Sequence, residues 1–284
     1  MQASESADLA SQIGKLIEHR FGEACKVDAS LQGLDGLLRM ADHRVKRHYT
    51  DQPVTGELMR MLCAIALSSP SKSDLQQRDI VVLQDARQRA RITDFFPGDP
   101  WMAKAPILLI FCGNNRRQRQ VHTWRGIPFA NDHLDPFFNA TVDAAIALGT
   151  FIAAAETVGL GCCPISVIRN HAEAVSKILE LPDHVFPVAG MTVGWPAHHR
   201  EISLRLPLAT TVHIDRFNDT NVREQVEGYD KRRQAVQPIR QQRDVALHGE
   251  AADYGWSEDK ARQYAKPDRD DFGTYVRRRG FNLS

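Results

Sequence analysis

The chain has few cysteines for its length, with five among 284 residues. No two of them have the C-x-x-C spacing that structural zinc sites use. Five thiols in a chain this long do not form the disulfide framework of a small secreted protein. The cysteine content therefore excludes a disulfide-stapled fold, gives no support to a metal site, and fits free thiols in a reducing compartment such as the cytoplasm.

Excess charge and long apolar runs are also lacking. The 36 Lys and Arg residues face 35 Asp and Glu residues, which leaves a formal net charge of +1. Nucleic-acid-binding domains are usually far more basic, so we expect no nucleic-acid partner. The longest nearly apolar run, Ala144 to Ala155, is shorter than the roughly 20 residues of a membrane span. Because the N-terminus also lacks the pattern of a secretory signal, we expect a soluble cytoplasmic protein without a membrane partner.

Several catalytic motifs are missing or occur in the wrong context. There is no G-x-S-x-G nucleophile motif. The Gly-Leu-Gly turn at residues 159–161 closes a predicted helix and precedes a strand, whereas a dinucleotide fingerprint follows a strand and opens a helix. Cys162 and Cys163 lie in an apolar strand, which favours a core position over redox chemistry. The His pair at 198–199 has no Cys or carboxylate ligand pattern beside it, so we predict no metal.

Hydrophobic periodicity predicts an α+β protein. Residues 106–112 show no polar alternation and read as a buried central strand. Residues 135–158 are apolar nearly all round, which predicts a buried helix whose small side chains admit a close neighbour in the same chain or a partner. Without clean β-α-β alternation, a mixed sheet flanked by helices is favoured over a doubly wound one. The predicted helices cover about 4–20, 31–40, 55–66, 85–93, 135–158, 171–179, 220–243 and 258–279, and the predicted strands 80–83, 106–112, 162–167, 185–193 and 210–214.

Two short basic motifs stand far apart in the chain. Residues 43–49 read His-Arg-Val-Lys-Arg-His-Tyr, and residues 204–207 read Leu-Arg-Leu-Pro. Arg44, Arg47 and Arg205 could together form a cup for a phosphate monoester, because guanidinium forks make charge-assisted hydrogen bonds to phosphate oxygens. The alternative is a solvated basic turn.

These motifs, with the turn at 158–161, Leu181-Pro182 and Gly194-Trp195-Pro196, resemble in order and spacing the nitroreductase family, in its NADPH-dependent nitroreductase and flavin oxidoreductase branch. The resemblance runs from about residue 33 to the C-terminus. It implies a nitroreductase-like α+β fold with a mixed, largely antiparallel sheet, built as an intertwined homodimer. Residues 33–284 would form one FMN-binding domain, with 215–284 as a tail that wraps the partner and contacts NADPH. Residues 1–32 would be a helical extension outside it.

The resemblance also implies site residues. Arg269 would bind the 2′-phosphate of NADPH, although it could equally be a surface charge paired with Asp270 or Asp271. For the Ser71 to Gln76 stretch, the alternative is a helix cap or a turn. The implied FMN-binding residues are His43, Arg44, Val45, Arg47, Ser71, Lys72, Ser73, Gln76, Asp99, Pro164, Ile165, Ser166, Val167, Ser203 and Arg205.

Four of these positions depart from the family pattern. Val45 replaces a Ser and Ser203 replaces a Lys, so one hydroxyl and one cation are missing, and Lys46 or Lys72 are the candidates to replace them. Ser166 and Val167 replace a Gly pair, which adds two side chains over the flavin.

The implied activity is hydride transfer from NADPH to nitroaromatics, quinones or flavins by a ping-pong mechanism. The bound flavin performs this chemistry and no protein side chain is required as acid or base. Two alternatives stay open. One is another flavin-dependent reductase with the same fold, such as a dehalogenase-like enzyme. A lid at 113–134 that closes over the substrate would indicate this alternative. The other is a non-enzymatic FMN-binding module.

Overall fold

The computed structural model describes residues 2–284, with side chains from residue 4 onward, and divides the chain into two compact units. We call Val45–Arg200 with Arg269–Ser284 the sheet unit, and the chain up to Arg44 with Glu201–Asp268 the helical unit. The sheet unit contains α3 (Gly56–Leu67), β1 (Arg78–Leu83), α4 (Ala86–Thr93), β2 (Ile107–Asn114), α5 (Arg116–Arg125), α6 (Leu134–Thr157), β3 (Gly161–Ile165), α7 (Ala172–Ile178), β4 (Val185–Gly194) and α12 (Phe272–Arg278). The helical unit contains α1 (Gln2–Phe21), α2 (Leu34–Ala41), α8 (Leu208–Thr211), α9 (Val222–Val236), α10 (Val245–His248) and α11 (Trp256–Tyr264).

The sheet has the strand order β1-β2-β4-β3, and each neighbouring pair is antiparallel. The α+β prediction is confirmed. No parallel pair occurs among the described strands, so the sheet is wholly antiparallel rather than mixed. Its order leaves β1 and β3 at the two edges.

Strand β2 is buried along its whole length, as the unbroken apolar pattern predicts. Side chains of a strand point alternately to opposite faces. Ile107, Leu109 and Phe111 pack with α3 and α6 on one face, while Leu108 and Ile110 join a second core on the other. Covering both faces removes the need for polar residues in the strand.

Helix α6 is longer than the apolar run within it. By length and composition it is the one helix among residues 2–284 that could cross a membrane. The predicted bounds of the helix, about 135–158, are confirmed within one residue. The run at 144–155 is too short to span a membrane, but the whole helix is long enough. Asp143, on this helix, is fully buried and binds the backbone of the loop at 72–77. The helix packs against α3 and β2, but only 28% of its most apolar stretch is buried. The prediction of a helix buried all round is therefore wrong, because α6 leaves an apolar face with Phe138 and Val142 exposed.

The Gly-Leu-Gly turn ends α6 as predicted. Gly159 has a φ of +86°, the left-handed conformation common just after a helix. Gly161 begins β3, and a Cβ there would lie 2.5 Å from Cγ of Lys46. Lys46 N–H in turn donates to the Cys162 carbonyl at 2.9 Å. The second glycine is thus needed for the close approach of the first basic motif to the sheet.

The helical unit has a smaller apolar core. Ala10 and Ile13 of α1 pack against Leu34 of α2. Elsewhere its buried residues include Arg20, Asp259 and Arg262, which are charged. This unit is consequently held by polar contacts as well as apolar ones.

Two predictions about the tail are wrong. The segment 210–214, predicted as a strand from its β-branched residues, forms the end of α8 and irregular chain, because no strand lies beside it to pair with. The predicted helix at 258–279 is two helices, α11 and α12, with Pro267 in the break. Proline lacks the backbone N–H that a continuous helix would need there.

Candidate cofactor-binding site

The unit boundary divides the first basic motif between Arg44 and Val45. His43, Arg44, Ser203 and Arg205 belong to the helical unit, and Arg47 belongs to the sheet unit. The arginines predicted to share one phosphate are thus distributed over both units.

In the helical unit, Arg44 is largely buried and forms an ion pair with Asp42, with Nη1 2.6 Å from Oδ2. Its Nε is buried and has no hydrogen-bond partner among the described residues. A buried donor without an acceptor is costly. An anion reaching this side chain would satisfy that donor.

Arg205 lines a cavity of about 400 Å³ that is wholly within the helical unit. Its Nη1 donates to the Leu204 carbonyl at 3.1 Å and lies 3.5 Å from the Ser203 carbonyl oxygen. Arg233 shares the cavity and has a buried Nε with no partner among the described residues. The full lining is Phe21, Ser203, Leu204, Arg205, Leu206, Thr211, Tyr229, Arg233, Trp256 and Lys260.

The composition of this lining suits an anion with an aromatic or ribityl portion. Arg205, Arg233 and Lys260 supply positive charge. Among the described residues, Lys260 is the only one of the three in an ion pair, with Nζ 2.8 Å from Asp259 Oδ2. Charge-assisted hydrogen bonds from guanidinium groups are about twice as strong as neutral ones. The aromatic rings in the wall provide stacking surface.

Sequence reasoning missed Arg233 and Lys260. Both lie in charged helical stretches, α9 and α11, where charged side chains are usually solvated. The only signal was the helical spacing of Tyr229 and Arg233, which places both on one face. Their convergence on Arg205 depends on packing between helices, which periodicity does not reveal.

In the sheet unit, the predicted flavin loop at 71–76 is anchored by Asp143. Its Oδ1 accepts from Lys72 N and its Oδ2 from Gln77 N, both at 2.9 Å. The guanidinium of Arg78 lies 3.7 Å from the same carboxylate. Ser71 Oγ accepts from Gln76 N at 3.1 Å, a hydrogen bond within the turn.

The same loop contains backbone strain. Ser73, Asp74 and Gln76 have φ values of +50°, +57° and +51°. Left-handed conformations cost roughly 1–2 kcal/mol for residues other than Gly. Such strain persists only where surrounding contacts impose it, and it concentrates at binding sites. The hydrogen bonds to Asp143 hold the chain on both sides of this strained stretch, at Lys72 and Gln77.

The predicted flavin-face segment and the predicted NADPH contact lie together. Nη1 of Arg269 is 3.2 Å from Asn170 Oδ1 and 3.4 Å from the Ser166 carbonyl oxygen. Pro164 and Ser166 are exposed, Ile165 is buried and Val167 is half-buried. These contacts bring two separately predicted site elements into one place. Arg269 therefore contacts Ser166 and Asn170 of the sheet unit.

Arg47 and Asp99 meet around Trp101. The Arg47 guanidinium lies over the Trp101 ring at 5.5 Å, and Trp101 Nε1 donates to Asp99 Oδ1 at 3.0 Å. Burial raises the pKa of the Cys163 thiol, and the nearby Arg47 lowers it only in part. Burial also raises the pKa of Cys162. Protonated buried thiols are poor nucleophiles, which agrees with the core interpretation.

The predicted lid contains a regular helix. Arg117 of α5 donates to the Gln76 carbonyl at 2.8 Å, and Arg119 pairs with Asp132 at 2.5 Å. Trp124 is 71% exposed. Two of the arginines in this stretch therefore have protein partners. Within residues 2–284, no cluster of three or more His, Cys, Asp or Glu side chains is arranged to hold a metal.

Taken together, the antiparallel sheet and the guanidinium donors define an α+β protein suited to a phosphate-bearing ligand. A model of the nitroreductase family matches residues 40–195, and one of the family's C-terminal domain matches residues 203–284. The chain belongs to the nitroreductase family.

Relatives with known names support the same grouping. An FMN reductase (NAD(P)H) of Bacillus subtilis is 34% identical over 197 residues, 68% of this chain and 78% of the relative. An oxygen-insensitive NADPH nitroreductase of Salmonella typhimurium is 33% identical over 178 residues, 63% of this chain and 72% of the relative. The solved structure of NfrA2 from B. megaterium superposes with a TM-score of 0.80 at 28% identity, covering 88% of this chain and 99% of that one.

Proposed function

We propose that this protein is an FMN-dependent oxidoreductase that transfers hydride from NADPH to nitroaromatics, quinones or free flavin. The observation that carries the proposal is the cavity containing Arg205 and Arg233, in a chain whose relatives include FMN reductases and NADPH nitroreductases. FMN, when bound, supplies the hydride-accepting ring. The protein's own residues would bind the FMN, orient its ring and shield it from water.

The donor set fits the phosphate of FMN. Buried Nε atoms of Arg44 and Arg233 lack acceptors among the described residues, and Arg205 lines the same cavity as Arg233. A phosphate monoester offers three acceptor oxygens and nearly two negative charges. Arg233 and Lys260 would supply the cation that Ser203 lacks, in place of Lys46 or Lys72.

The loop anchored by Asp143 would hold the ring and ribityl portion. The side chains of Lys72, Ser73 and Gln76 are exposed, and Lys72 adds a cation that would favour an anionic reduced flavin. Ser166, Val167 and Arg269 would form the surface where NADPH and the acceptor bind in turn. Because Ser166 and Val167 carry side chains, flat acceptors such as benzoquinones should react better than bulky ones.

The protein would act as a cytoplasmic homodimer. Phe138, Val142 and Ile146 form an exposed apolar row on α6, and Met61 and Ile65 are exposed on α3, which packs beside it. Rows of this kind mark interfaces rather than solvated surface. The second copy is the proposed occupant, since an Ala-rich helix admits close approach of another.

The tail adds a second argument for an intertwined dimer. Val212, Ile214 and Phe217 are 59%, 81% and 75% exposed, in a segment with strand-forming residues but no strand partner. Strand β1 is an open edge of the sheet. Unpaired edges accept strands from another chain. Sedimentation showing a flavin-bound monomer at micromolar concentration would rule the dimer out.

The experiment is to purify the protein, record its absorption spectrum and measure NADPH oxidation with a quinone and a nitroaromatic. A yellow protein supports the binding of FMN. Parallel double-reciprocal lines for NADPH against quinone support the ping-pong mechanism, in which the two substrates bind in turn. Intersecting lines would reject the ping-pong order. A yellow protein that oxidises no NADPH would indicate an FMN-binding module, and NADPH oxidation with only halogenated substrates reduced would indicate the dehalogenase-like alternative.

A further inference from the structure

The N-terminal helix α1 precedes the part of the chain that the family model matches, which begins at residue 40. Its last turn carries Arg20, a charged residue only 8% exposed. We infer that Arg20 is a positioning residue that fixes the two basic motifs of the helical unit at the spacing needed to bind one phosphate. This inference rests on the proposed FMN site and gives the N-terminal extension a role in it.

The side chain of Arg20 connects the two motifs directly. Nη1 donates to the Ser203 carbonyl at 3.1 Å. Nη2 donates to the carbonyls of Ala41 and His43, at 3.0 and 2.7 Å. One guanidinium therefore joins the residue just before Arg44 to the segment just before Arg205.

The backbone of Arg20 makes a second connection. Its carbonyl oxygen accepts from Arg205 N at 2.8 Å. The final carbonyls of a helix have no partners within the helix, and here one of them holds the second motif. Arg232 closes the arrangement, with Nη2 3.3 Å from Arg20 O and 2.5 Å from Arg205 O.

Gly22 makes the approach of Arg232 possible. It has a φ of +75°, and a Cβ at this position would lie 2.8 Å from Nη1 of Arg232. The end of α1 is thus shaped so that two arginines can reach the motif backbones. Gly22 lies just after the end of α1, and a residue with a side chain would be strained in this left-handed conformation.

The planar guanidinium suits this task better than an ammonium group. It presents donors in a fixed fork and therefore sets the separation of the carbonyls it binds. Without it, Arg44 and Arg205 would lose their fixed spacing, and both could bind one phosphate only at an added entropic cost. Arg20 acts through these backbone groups rather than by touching the phosphate.

The test compares two ligands that differ only in the phosphate. Flavin-free wild type, Arg20→Met and Arg20→Lys are titrated with FMN and with riboflavin, following flavin fluorescence. We expect Arg20→Met to raise the Kd for FMN about tenfold, equivalent to ~1.4 kcal/mol. The Kd for riboflavin should change less than about twofold, which is ~0.4 kcal/mol. Arg20→Lys should be intermediate for FMN, because it keeps charge but loses the fork.

Arg262→Met is the matched control. Arg262 is also buried in the helical unit and donates to two carbonyls, those of Arg243 and Gly249. Arg262→Met should lower the stability of the protein, and it should change the Kd values for FMN and riboflavin by the same factor. If Arg20→Met does not fold, Arg20→Lys decides by the same two titrations.

The outcomes separate this inference from the proposed function. Wild type that binds FMN, with unchanged FMN affinity in the Arg20 variants, would overturn the positioning role alone. Equal losses for FMN and riboflavin would overturn it as well, because they indicate a general structural effect. Wild type that binds neither flavin would overturn the proposed function and the positioning role together.

Discussion

The two units of this chain are stabilised in different ways. In the sheet unit, the largest fully buried side chains are apolar, among them Phe111, Phe151 and Phe186. In the helical unit, two of the buried residues, Arg20 and Arg262, are arginines that bind main-chain carbonyls. The sheet unit also buries one such arginine, Arg78, but beside a much larger apolar core. Hydrophobic packing tolerates volume-conserving exchanges, whereas a buried guanidinium depends on each of its acceptors.

The difference between apolar packing and buried arginines corresponds to what each unit would contribute to the proposed FMN site. The sheet unit provides a rigid frame for the 71–77 loop and the 164–167 segment. The helical unit would provide cations, with their spacing set by hydrogen bonds as we propose. A change in the frame should therefore affect folding, and a change in the helical unit should affect ligand discrimination.

The largest expected effect is on the sheet core. Phe111→Ala should lower the free energy of unfolding by about 3–5 kcal/mol, because it removes a fully buried ring and leaves a cavity. Urea denaturation measures this. Tyr264→Ala, in the helical unit, is the control, since its ring is 81% exposed and should contribute less than about 0.5 kcal/mol. Similar losses for both would contradict the comparison.

The next effect is on FMN binding by the helical unit. Arg205→Ala should weaken FMN binding roughly ten- to a hundredfold, because charge-assisted hydrogen bonds contribute ~1.5–3 kcal/mol each. Arg223→Ala removes an exposed arginine of the same unit, paired only with Glu227 in the helix, and should leave FMN affinity unchanged. Equal FMN occupancy in wild type and Arg205→Ala would exclude this site.

A smaller effect concerns acid stability. Burial raises the pKa of Asp259, but hydrogen bonds from Lys260 and Tyr254 outweigh it, so the net pKa lies below the usual 3.8. A lowered folded pKa contributes stability above the unfolded pKa, and that contribution is lost as pH falls through the folded value.

We therefore expect amides of the helical unit to lose hydrogen-exchange protection first below about pH 3.8, near the unperturbed Asp pKa. Asp259→Asn should be less stable at pH 7, by about 1–2 kcal/mol for its lost charge-assisted bonds. It should also show a weaker decline of stability in acid. If the stability of Asp259→Asn falls with pH as steeply as that of wild type, a group other than Asp259 causes the loss of stability in acid.

The smallest effect is on cosubstrate choice in the sheet unit. Arg269→Ala should lower the NADPH-to-NADH ratio of kcat/KM by about two- to tenfold, as expected for a half-exposed charge contact of up to ~1.4 kcal/mol. Arg277→Ala, an exposed arginine on α12, serves as the control. If the NADPH-to-NADH ratio stays at the wild-type value, Arg269 does not bind the 2′-phosphate. Its role would then be the structural contact with Asn170 and Ser166.

Most of the sheet unit could be predicted because its patterns are local. The unbroken apolar run at 106–112 becomes the buried strand β2, and the turn at Gly159 ends α6. The tail was less predictable. Residues 210–214 have strand propensity, but a strand forms only where another strand offers hydrogen bonds, which is a property of the assembled fold.

The candidate site divides in the same way. Arg44, Arg205 and the 71–76 loop are visible in the sequence because each lies in a short motif. Arg233, Lys260 and Asp143 are not, since each comes from a helix whose pattern predicts only exposure or burial. Asp143 in particular interrupts an apolar helix, and its role appears only when the loop amides at 72 and 77 lie beside it.

The sequence by itself determined the α+β class, the order of most helices and strands, and the family of the protein, because these depend on periodicity and short motifs. Only the tertiary structure decided which charged side chains converge. It placed Arg20 between His43 and Ser203, and Arg233 beside Arg205. Contacts between residues far apart in sequence depend on the packing of whole helices, which no local pattern specifies.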